Sequence, residues 1–168
     1  MIQIANQWQD YELIDAGEEE KLERWGKFVL RRPDPQAIWL RNPKLIDLWE
    51  NPDLFYHRSE KGGGEWEIKG KSKNKVEGKD GWEISYKDLK FKVKPMGFKH
   101  TGLFPEQAVN WEFIISKLTE HRKQKTDYPK VLNLFAYTGG STVAAVSAGA
   151  EVTHVDASKG MIQMAKEN

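Results

Sequence analysis

The chain has 168 residues, of which 39% are apolar and 30% charged, and a formal net charge of +1. This composition is typical of a soluble globular protein, and the length allows one ordinary domain or two small ones. The absence of cysteine excludes disulfides, thiolate metal sites and a thiol nucleophile, and we expect no metal. No stretch approaches the roughly 20 apolar residues of a membrane span, so we expect a cytoplasmic protein.

The first 98 residues predict a β-rich N-terminal module, because short aromatic and β-branched runs alternate with turn residues. We expect strands in YELIDAG (11–17), KFVLRR (27–32), QAIWL (36–40), EWEIKG (65–70) and the hairpin WEISYKDLKFKVK (82–94). The segment EEEKLERWG (18–26) fits either a helical turn or a strand edge. PKLIDLWENPDLF (43–55) predicts a short helix that ends at Asn51 and Pro52.

Positive charge is concentrated in the middle of the chain, where residues 61–99 hold 11 lysines against 6 acids. Lysines alternate along the polar segment KGKSKNKVEGKDG (69–81), which is predicted to be the tip between two hairpin strands, and tryptophans flank it. Lysines can contact phosphate and indoles can stack on bases, which makes this set a candidate RNA-binding surface. The set comprises Lys69, Lys71, Lys73, Lys75, Trp66 and Trp82. A solvated tip protected by lysine from edge pairing explains the same lysines without RNA.

From residue 99 the pattern becomes that of an α/β domain. PEQAVNWEFIISKLTEHRKQ (105–124) predicts a long helix that begins at Pro105. KVLNLF (130–135) predicts a buried strand, GGSTVAAVSAGA (139–150) a helix, EVTHVD (151–156) a second strand and SKGMIQMAKEN (158–168) a helix capped by Ser158. The two strands should be parallel. The predicted fold class is therefore α+β, with a β-rich module over 1–98 and, over 99–168, a linker helix and the opening βαβα part of a Rossmann-like, doubly wound domain.

The turn after the first of these strands predicts a nucleoside site. Gly139 and Gly140 allow close backbone approach, and the helix that follows presents free N–H groups. Asp156 stands 16 residues beyond Gly140, at the end of the next strand, where a carboxylate can accept the ribose hydroxyls. A GxGxxG fingerprint is absent, so the turn favours S-adenosylmethionine over a dinucleotide. A dinucleotide-dependent enzyme and a βαβ unit without a ligand remain the alternatives.

Three segments carry a resemblance to a known family: GFKHTGLFPEQ (97–107), VLNLFAYTGGST (131–142) and VTHVDASKGMIQMAKEN (152–168). Together they resemble class I S-adenosylmethionine-dependent methyltransferases of the ribosomal RNA large-subunit type, which include 5-methylcytosine and guanine-N methyltransferases. More loosely, residues 13–39 look like the small β-module that precedes the methyltransferase domain in that group. The resemblance implies S-adenosylmethionine as cofactor and RNA as substrate.

The resemblance also implies site residues. The methionine moiety would be lined by Phe135, Ala136, Tyr137, Thr138, Gly139 and Gly140, and the ribose and adenine held by Asp156, Ala157 and Ser158. A segment whose glutamine packs beside the cofactor corresponds to Lys99, His100, Thr101, Gly102 and Gln107; a structural histidine explains His100 equally. The family commonly has an aspartate and an arginine where this chain has Glu106 and Ala108, so the ionic role of that arginine does not carry over.

The family's catalytic element, an acidic residue or asparagine followed by Pro-Pro after the fourth strand, has no counterpart among the seven prolines. Its catalytic residues are therefore expected beyond Asn168. The second strand would also leave an open sheet edge, where the missing C-terminal half or another chain could pair. We expect the N-terminal part of a roughly 300-residue enzyme, unable by itself to complete methyl transfer. The alternative from another class is a non-catalytic RNA-binding β-module.

Overall fold

The computed structural model describes residues 2–59, 62–72, 76, 81–124 and 127–168, with Lys71 by its backbone alone. The chain divides into two compact units. One, here called the β unit, comprises Trp8–Ile84 and Val93–Thr101. The other, here called the αβ unit, comprises Met1–Gln7, Ser85–Lys92 and Gly102–Asn168. The domain boundary between residues 98 and 99 stays a prediction.

The β unit contains a five-stranded sheet in the order β1-β2-β3-β4-β5. Its strands are β1 (Tyr11–Gly17), β2 (Glu20–Trp25), β3 (Phe28–Pro33), β4 (Leu54–Arg58) and β5 (Gly64–Ile68). Neighbours pair antiparallel except β3 and β4, which pair parallel. A 3₁₀ turn (Pro43–Leu45) and the short helix α1 (Ile46–Glu50) lie in the connection between those two strands. The core includes Leu22, Trp25, Leu30, Trp49 and Leu54, all fully buried.

Residues 36–40 form no strand, so that prediction was wrong. Two backbone hydrogen bonds hold this segment beside the β1–β2 turn, from the N–H of Glu18 to Trp39 O and from the N–H of Glu19 to Ala37 O. Ile38 and Leu40 are 80% and 83% exposed. An apolar run of this kind forms a strand when its side chains are buried, whereas Trp39 is exposed here as well and only Ala37 is buried. The ambiguous segment 18–26 instead supplies β2, and β4 was not predicted.

A two-stranded hairpin follows, made of β6 (Trp82–Tyr86) and β7 (Leu89–Val93). The αβ unit continues with a 3₁₀ turn (Pro105–Gln107) and then α2 (Ala108–Gln124), β8 (Lys130–Leu134), α3 (Gly140–Ser147), β9 (Glu151–Val155) and α4 (Lys159–Glu167). The strands β8 and β9 pair parallel, in register from Lys130 opposite Glu151 to Leu134 opposite Val155. This order confirms the predicted fold class, a β-rich module followed by the opening βαβα part of a doubly wound fold.

The strand β8 is not buried on both faces as its apolar run predicted. Leu132 and Leu134 are 61% and 54% exposed, and Val155 on β9 is 44% exposed. Alternate residues of both strands are only half-buried. A parallel sheet is ordinarily covered on both faces, whereas one face of this pair is open among the described residues. Within the same residues, no helix combines the length and hydropathy needed to span a bilayer.

Candidate cofactor site

The turn between β8 and α3 has a strained backbone. Phe135 and Tyr137 have φ angles of +53° and +52°, and Gly139 has +88°. The left-handed region costs a residue with a side chain about 1–2 kcal/mol, so two such residues need strong support from their surroundings. Hydrogen bonds provide it, because Ala136 N donates to Val155 O and Gly139 N donates to Ala136 O, each at 3.0 Å. Strain of this kind is concentrated at functional sites.

Asp156 holds this turn from the end of β9. Its Oδ2 accepts the N–H of Tyr137 at 2.8 Å, and its Oδ1 accepts the N–H of Ser158 at 2.8 Å. The N–H of Ser158 and then that of Tyr137 lower the pKa of the carboxyl below its usual value, so Asp156 is ionised at neutral pH. Each oxygen retains a lone pair for a further donor. Ser158 in turn caps α4, as predicted, by accepting the N–H of Met161.

The two glycines are required for different physical reasons. Gly139 has a positive φ, and a Cβ there would lie 3.2 Å from Ala165 Cβ. A Cβ at Gly140 would lie 2.9 Å from Cζ2 of Trp111, which is buried. Packing of α2 against the start of α3 therefore excludes a side chain at Gly140, a constraint that the sequence pattern did not reveal.

An open pocket of about 180 Å³ lies beside the turn. Six predicted residues line it: Phe135, Ala136, Tyr137, Thr138, Gly140 and Gln107. Five further lining residues were not predicted: Leu103, Phe104, Trp111, Asn133 and Ser141. Pockets for drug-sized ligands measure roughly 300–1,000 Å³, so this one suits one end of a nucleoside cofactor. Among the described residues its lining carries no charged side chain.

Polar and aromatic groups define the character of the pocket. The rings of Phe104 and Tyr137 lie 5.2 Å apart, and Phe135 is 93% exposed. Gln107 Oε1 accepts from Asn110, which leaves its Nε2 available as a donor. Asn133 was the one unpredicted residue with a sequence signal, because it is a polar side chain inside an apolar strand. Trp111 and Gly140 are 29 residues apart in the sequence, so no local sequence pattern predicts their contact.

The remaining predicted cofactor residues lie in different places. The buried Thr138 donates its hydroxyl to Gly102 O within the αβ unit, and Ala157 is exposed after β9. Lys99, His100 and Thr101 belong to the β unit, where Lys99 Nζ donates to Pro33 O at 3.2 Å. Burial, assisted by neighbouring cations, lowers the pKa values of Lys99 and His100. A role for these three residues at the cofactor stays a prediction.

The predicted RNA-binding tryptophans are packed within the β unit. Trp66 Nε1 donates to Phe98 O at 3.2 Å, and Trp82 Nε1 donates to Trp25 O at 3.1 Å. Lys69 Nζ donates to Glu50 O at 3.0 Å. The side chain of Lys71 and the whole of Lys73 and Lys75 lie outside the described residues. RNA binding by this set stays a prediction. The described part of the chain contains no cluster of three or more acidic or histidine side chains suited to a metal ion.

The fold and the turn together are those of the opening part of an S-adenosylmethionine-dependent methyltransferase fold. No protein-family model matches the chain. A solved S-adenosylmethionine-dependent methyltransferase from Agrobacterium tumefaciens matches it with a TM-score of 0.80 and 38% identity, over 95% of this chain and 48% of that one. A Methanocaldococcus jannaschii protein, provisionally named a ribosomal RNA large subunit methyltransferase, is 35% identical over 74% of this chain and 29% of its own length. The ribosomal RNA large subunit methyltransferase K/L of Shewanella frigidimarina is 40% identical over 47% of this chain and 10% of its own length.

These similarities confirm the resemblance inferred from the sequence to methyltransferases of the ribosomal RNA large-subunit type. They cover both the β unit and the αβ unit, since the Agrobacterium structure matches nearly the whole chain. The chain spans about half the length of that structure and under a third of the M. jannaschii relative.

Proposed function

We propose that this chain forms the first part of the cofactor site of an S-adenosylmethionine-dependent methyltransferase that acts on ribosomal RNA in the cytoplasm. The observation that carries the proposal is the strained turn from Phe135 to Gly139, held by an ionised Asp156 at the end of the next strand. The names of the relatives support the choice of cofactor and of RNA.

The residues present fit this cofactor. The first N–H groups of α3, at Gly140 and Ser141, and the Nε2 of Gln107, which has no partner among the described residues, can donate to the carboxylate of a methionine end. The spare lone pairs of Asp156 can accept the ribose hydroxyls. An uncharged lining with aromatic rings tolerates a cationic ligand. When bound, S-adenosylmethionine supplies an electrophilic methyl group on its sulfonium.

The role of this chain's own residues is to bind and to orient. Methyl transfer requires the acceptor atom to be held in line with the methyl group, which is a positioning task. We assign the groups that position the acceptor to the portion of the relatives that this chain does not span. The β unit, with the predicted lysine and tryptophan set, is the proposed RNA-binding part.

Calorimetric titration of the chain with S-adenosylmethionine and with NAD tests the proposal. We expect binding of S-adenosylmethionine only, and a loss of at least about tenfold in affinity, or 1.4 kcal/mol, for Asp156→Ala. Asp127→Ala, an exposed aspartate of the same unit, is the matched control and should bind normally. Preferential binding of NAD, or an Asp156→Ala affinity equal to that of the unmodified chain, would refute the proposal.

A further inference from the structure

We infer that Thr142 and His154 position the side chain of Asn133 so that its carbonyl oxygen faces the pocket and accepts a hydrogen bond from the α-ammonium group of the cofactor. Thr142 and His154 are positioning residues in this scheme, because they act through Asn133. The inference rests on the proposed function and adds to it the polarity of the amino-acid end of the site.

Three elements meet in a continuous chain of hydrogen bonds. Asn133 on β8 and His154 on β9 are direct partners in the parallel register. Asn133 Nδ2 donates to Thr142 Oγ1 on α3 at 2.9 Å. The same Oγ1 lies 2.9 Å from His154 Nδ1. Because both strands and the helix contribute one residue each, the orientation of Asn133 is tied to the packing of the whole βαβ unit.

The direction of this chain follows from the chemistry of its members. An amide nitrogen can only donate, so the hydroxyl of Thr142 accepts from Asn133. Its own proton then has His154 Nδ1 as its acceptor among the described residues, which requires a neutral imidazole with its proton on Nε2. His154 Nε2 is buried and has no partner in the described part of the chain. The proton that this tautomer places on Nε2 is therefore unpaired among the described residues, and the assignment rests on the contact of Nδ1 with Thr142.

The direction of these hydrogen bonds determines whether Asn133 offers the pocket an acceptor or a donor. Asn133 lines the pocket, and its Oδ1 makes no hydrogen bond within the described residues, so an acceptor is available to a ligand. The reverse direction, from His154 Nδ1–H through Thr142 to Asn133 Oδ1, would present the amide N–H groups instead. The tautomer of His154 therefore selects between an acceptor and a donor at Asn133.

The acceptor complements the other groups of the pocket. The first N–H groups of α3 and the Nε2 of Gln107 are donors, which suit a carboxylate. The Oδ1 of Asn133 adds an acceptor for an ammonium. Donors and an acceptor around a space of about 180 Å³ match the zwitterionic end of an α-amino acid, and a reversed Asn133 would leave the ammonium unpaired.

Two ligands separate this positioning role from a general loss of structure. S-adenosylhomocysteine carries the amino-acid end, whereas 5′-methylthioadenosine has the same nucleoside and thioether without it. For Thr142→Val we expect S-adenosylhomocysteine to bind about tenfold more weakly and 5′-methylthioadenosine to bind unchanged. Thr142→Ser, which keeps the hydroxyl, should restore the affinity. Thr153→Val, an exposed threonine of β9, is the control.

Nitrogen-15 NMR of the imidazole supplies a readout that needs no cofactor. We expect His154 to carry its proton on Nε2 at neutral pH, and Thr142→Val to mix the two tautomers. A proton on Nδ1 in the unmodified chain, or equal losses of affinity for both ligands, would overturn the inference. If neither ligand binds the unmodified chain, the proposed function itself is wrong. If both bind, but Thr142→Val weakens the affinity for both equally, only the positioning of Asn133 is wrong.

Discussion

Gly140 shows how one position serves the site through packing. Its missing side chain makes room for the indole of Trp111, and this contact sets the first residue of α3 against α2. Asp156 likewise acts before any ligand arrives, because its two oxygens already accept backbone N–H groups from the turn and from α4. Both residues stabilise the local structure without a ligand, and the oxygens of Asp156 keep lone pairs that a ligand can use.

We expect Gly140→Ala to lower the free energy of unfolding by about 1–3 kcal/mol, the usual cost of overpacking a filled interior. The new Cβ would lie 2.9 Å from Trp111 Cζ2, closer than carbon atoms approach without displacement. Urea denaturation followed by tryptophan fluorescence measures the change.

Gly160→Ala is the matched control for that substitution. Gly160 lies within α4, and a Cβ there meets only Ser158 Oγ, at 3.9 Å. Because alanine favours a helix over glycine by up to about 1 kcal/mol, this variant should be as stable as the original chain or more so. Equal stability of Gly140→Ala and the original chain would contradict the packing argument.

At the scale of the elements, a buried ion pair joins two strands of the β unit. Arg32 on β3 donates to Glu23 on β2 through Nε at 2.6 Å and Nη2 at 2.8 Å, and Tyr11 on β1 donates to the same carboxylate at 2.9 Å. Burial is the largest influence on Glu23 and raises its pKa, but Arg32, Lys21 and the Tyr11 hydroxyl together outweigh burial, so the pKa of the carboxyl is lowered. The pair links three strands through one charged group.

We expect Arg32→Met to reduce the free energy of unfolding at pH 7 by about 3–5 kcal/mol, because it removes the cation that contacts both oxygens of a buried carboxylate. Glu12→Gln, which breaks a surface pair with Arg24, should cost no more than about 1 kcal/mol. Denaturant titration measures both. A loss for Arg32→Met no larger than that for Glu12→Gln would show that the buried pair does not stabilise the sheet.

The same ion pair makes the stability of the folded chain depend on pH. The pKa of Glu23 is lower in the folded chain than in the unfolded one, so its contribution to stability is complete above the ordinary glutamate pKa and is lost as pH falls toward the folded value. In Arg32→Met only Lys21 and the Tyr11 hydroxyl still oppose the effect of burial, so the pKa of Glu23 is higher than in the original chain. We therefore expect the difference in stability between the two proteins to shrink as the pH is lowered from 7 to about 4.5.

Most elements could be predicted because their patterns are local. The long helix from Ala108, the βαβα order and the cap at Ser158 follow from periodicity and end residues. The prediction of a strand over 36–40 was wrong because Ile38, Trp39 and Leu40 are exposed, which composition cannot reveal. The turn and Asp156 were also predictable, but Trp111 and the Thr142–His154 pair were not, since they meet the site through contacts between elements distant in sequence.

At the scale of the whole molecule, the chain resembles known methyltransferases across both units yet spans about half of the solved Agrobacterium structure. Leu132, Leu134 and Val155 are exposed on one face of the β8–β9 pair, and α3 packs against both strands. The function proposed for the described residues is to bind the cofactor. In the proposed function, the turn after β8 and the start of α4 form one S-adenosylmethionine site.

Residue-resolved amide NMR with S-adenosylhomocysteine tests that claim most directly. We predict that titration shifts the backbone amides of Tyr137, Gly139, Gly140 and Ser158, which lie in the turn and beside Asp156, and leaves Gly26 of the β unit unmoved. Shifts confined to the β unit, or no shift in the turn at saturating ligand, would show that the turn is not part of the cofactor site.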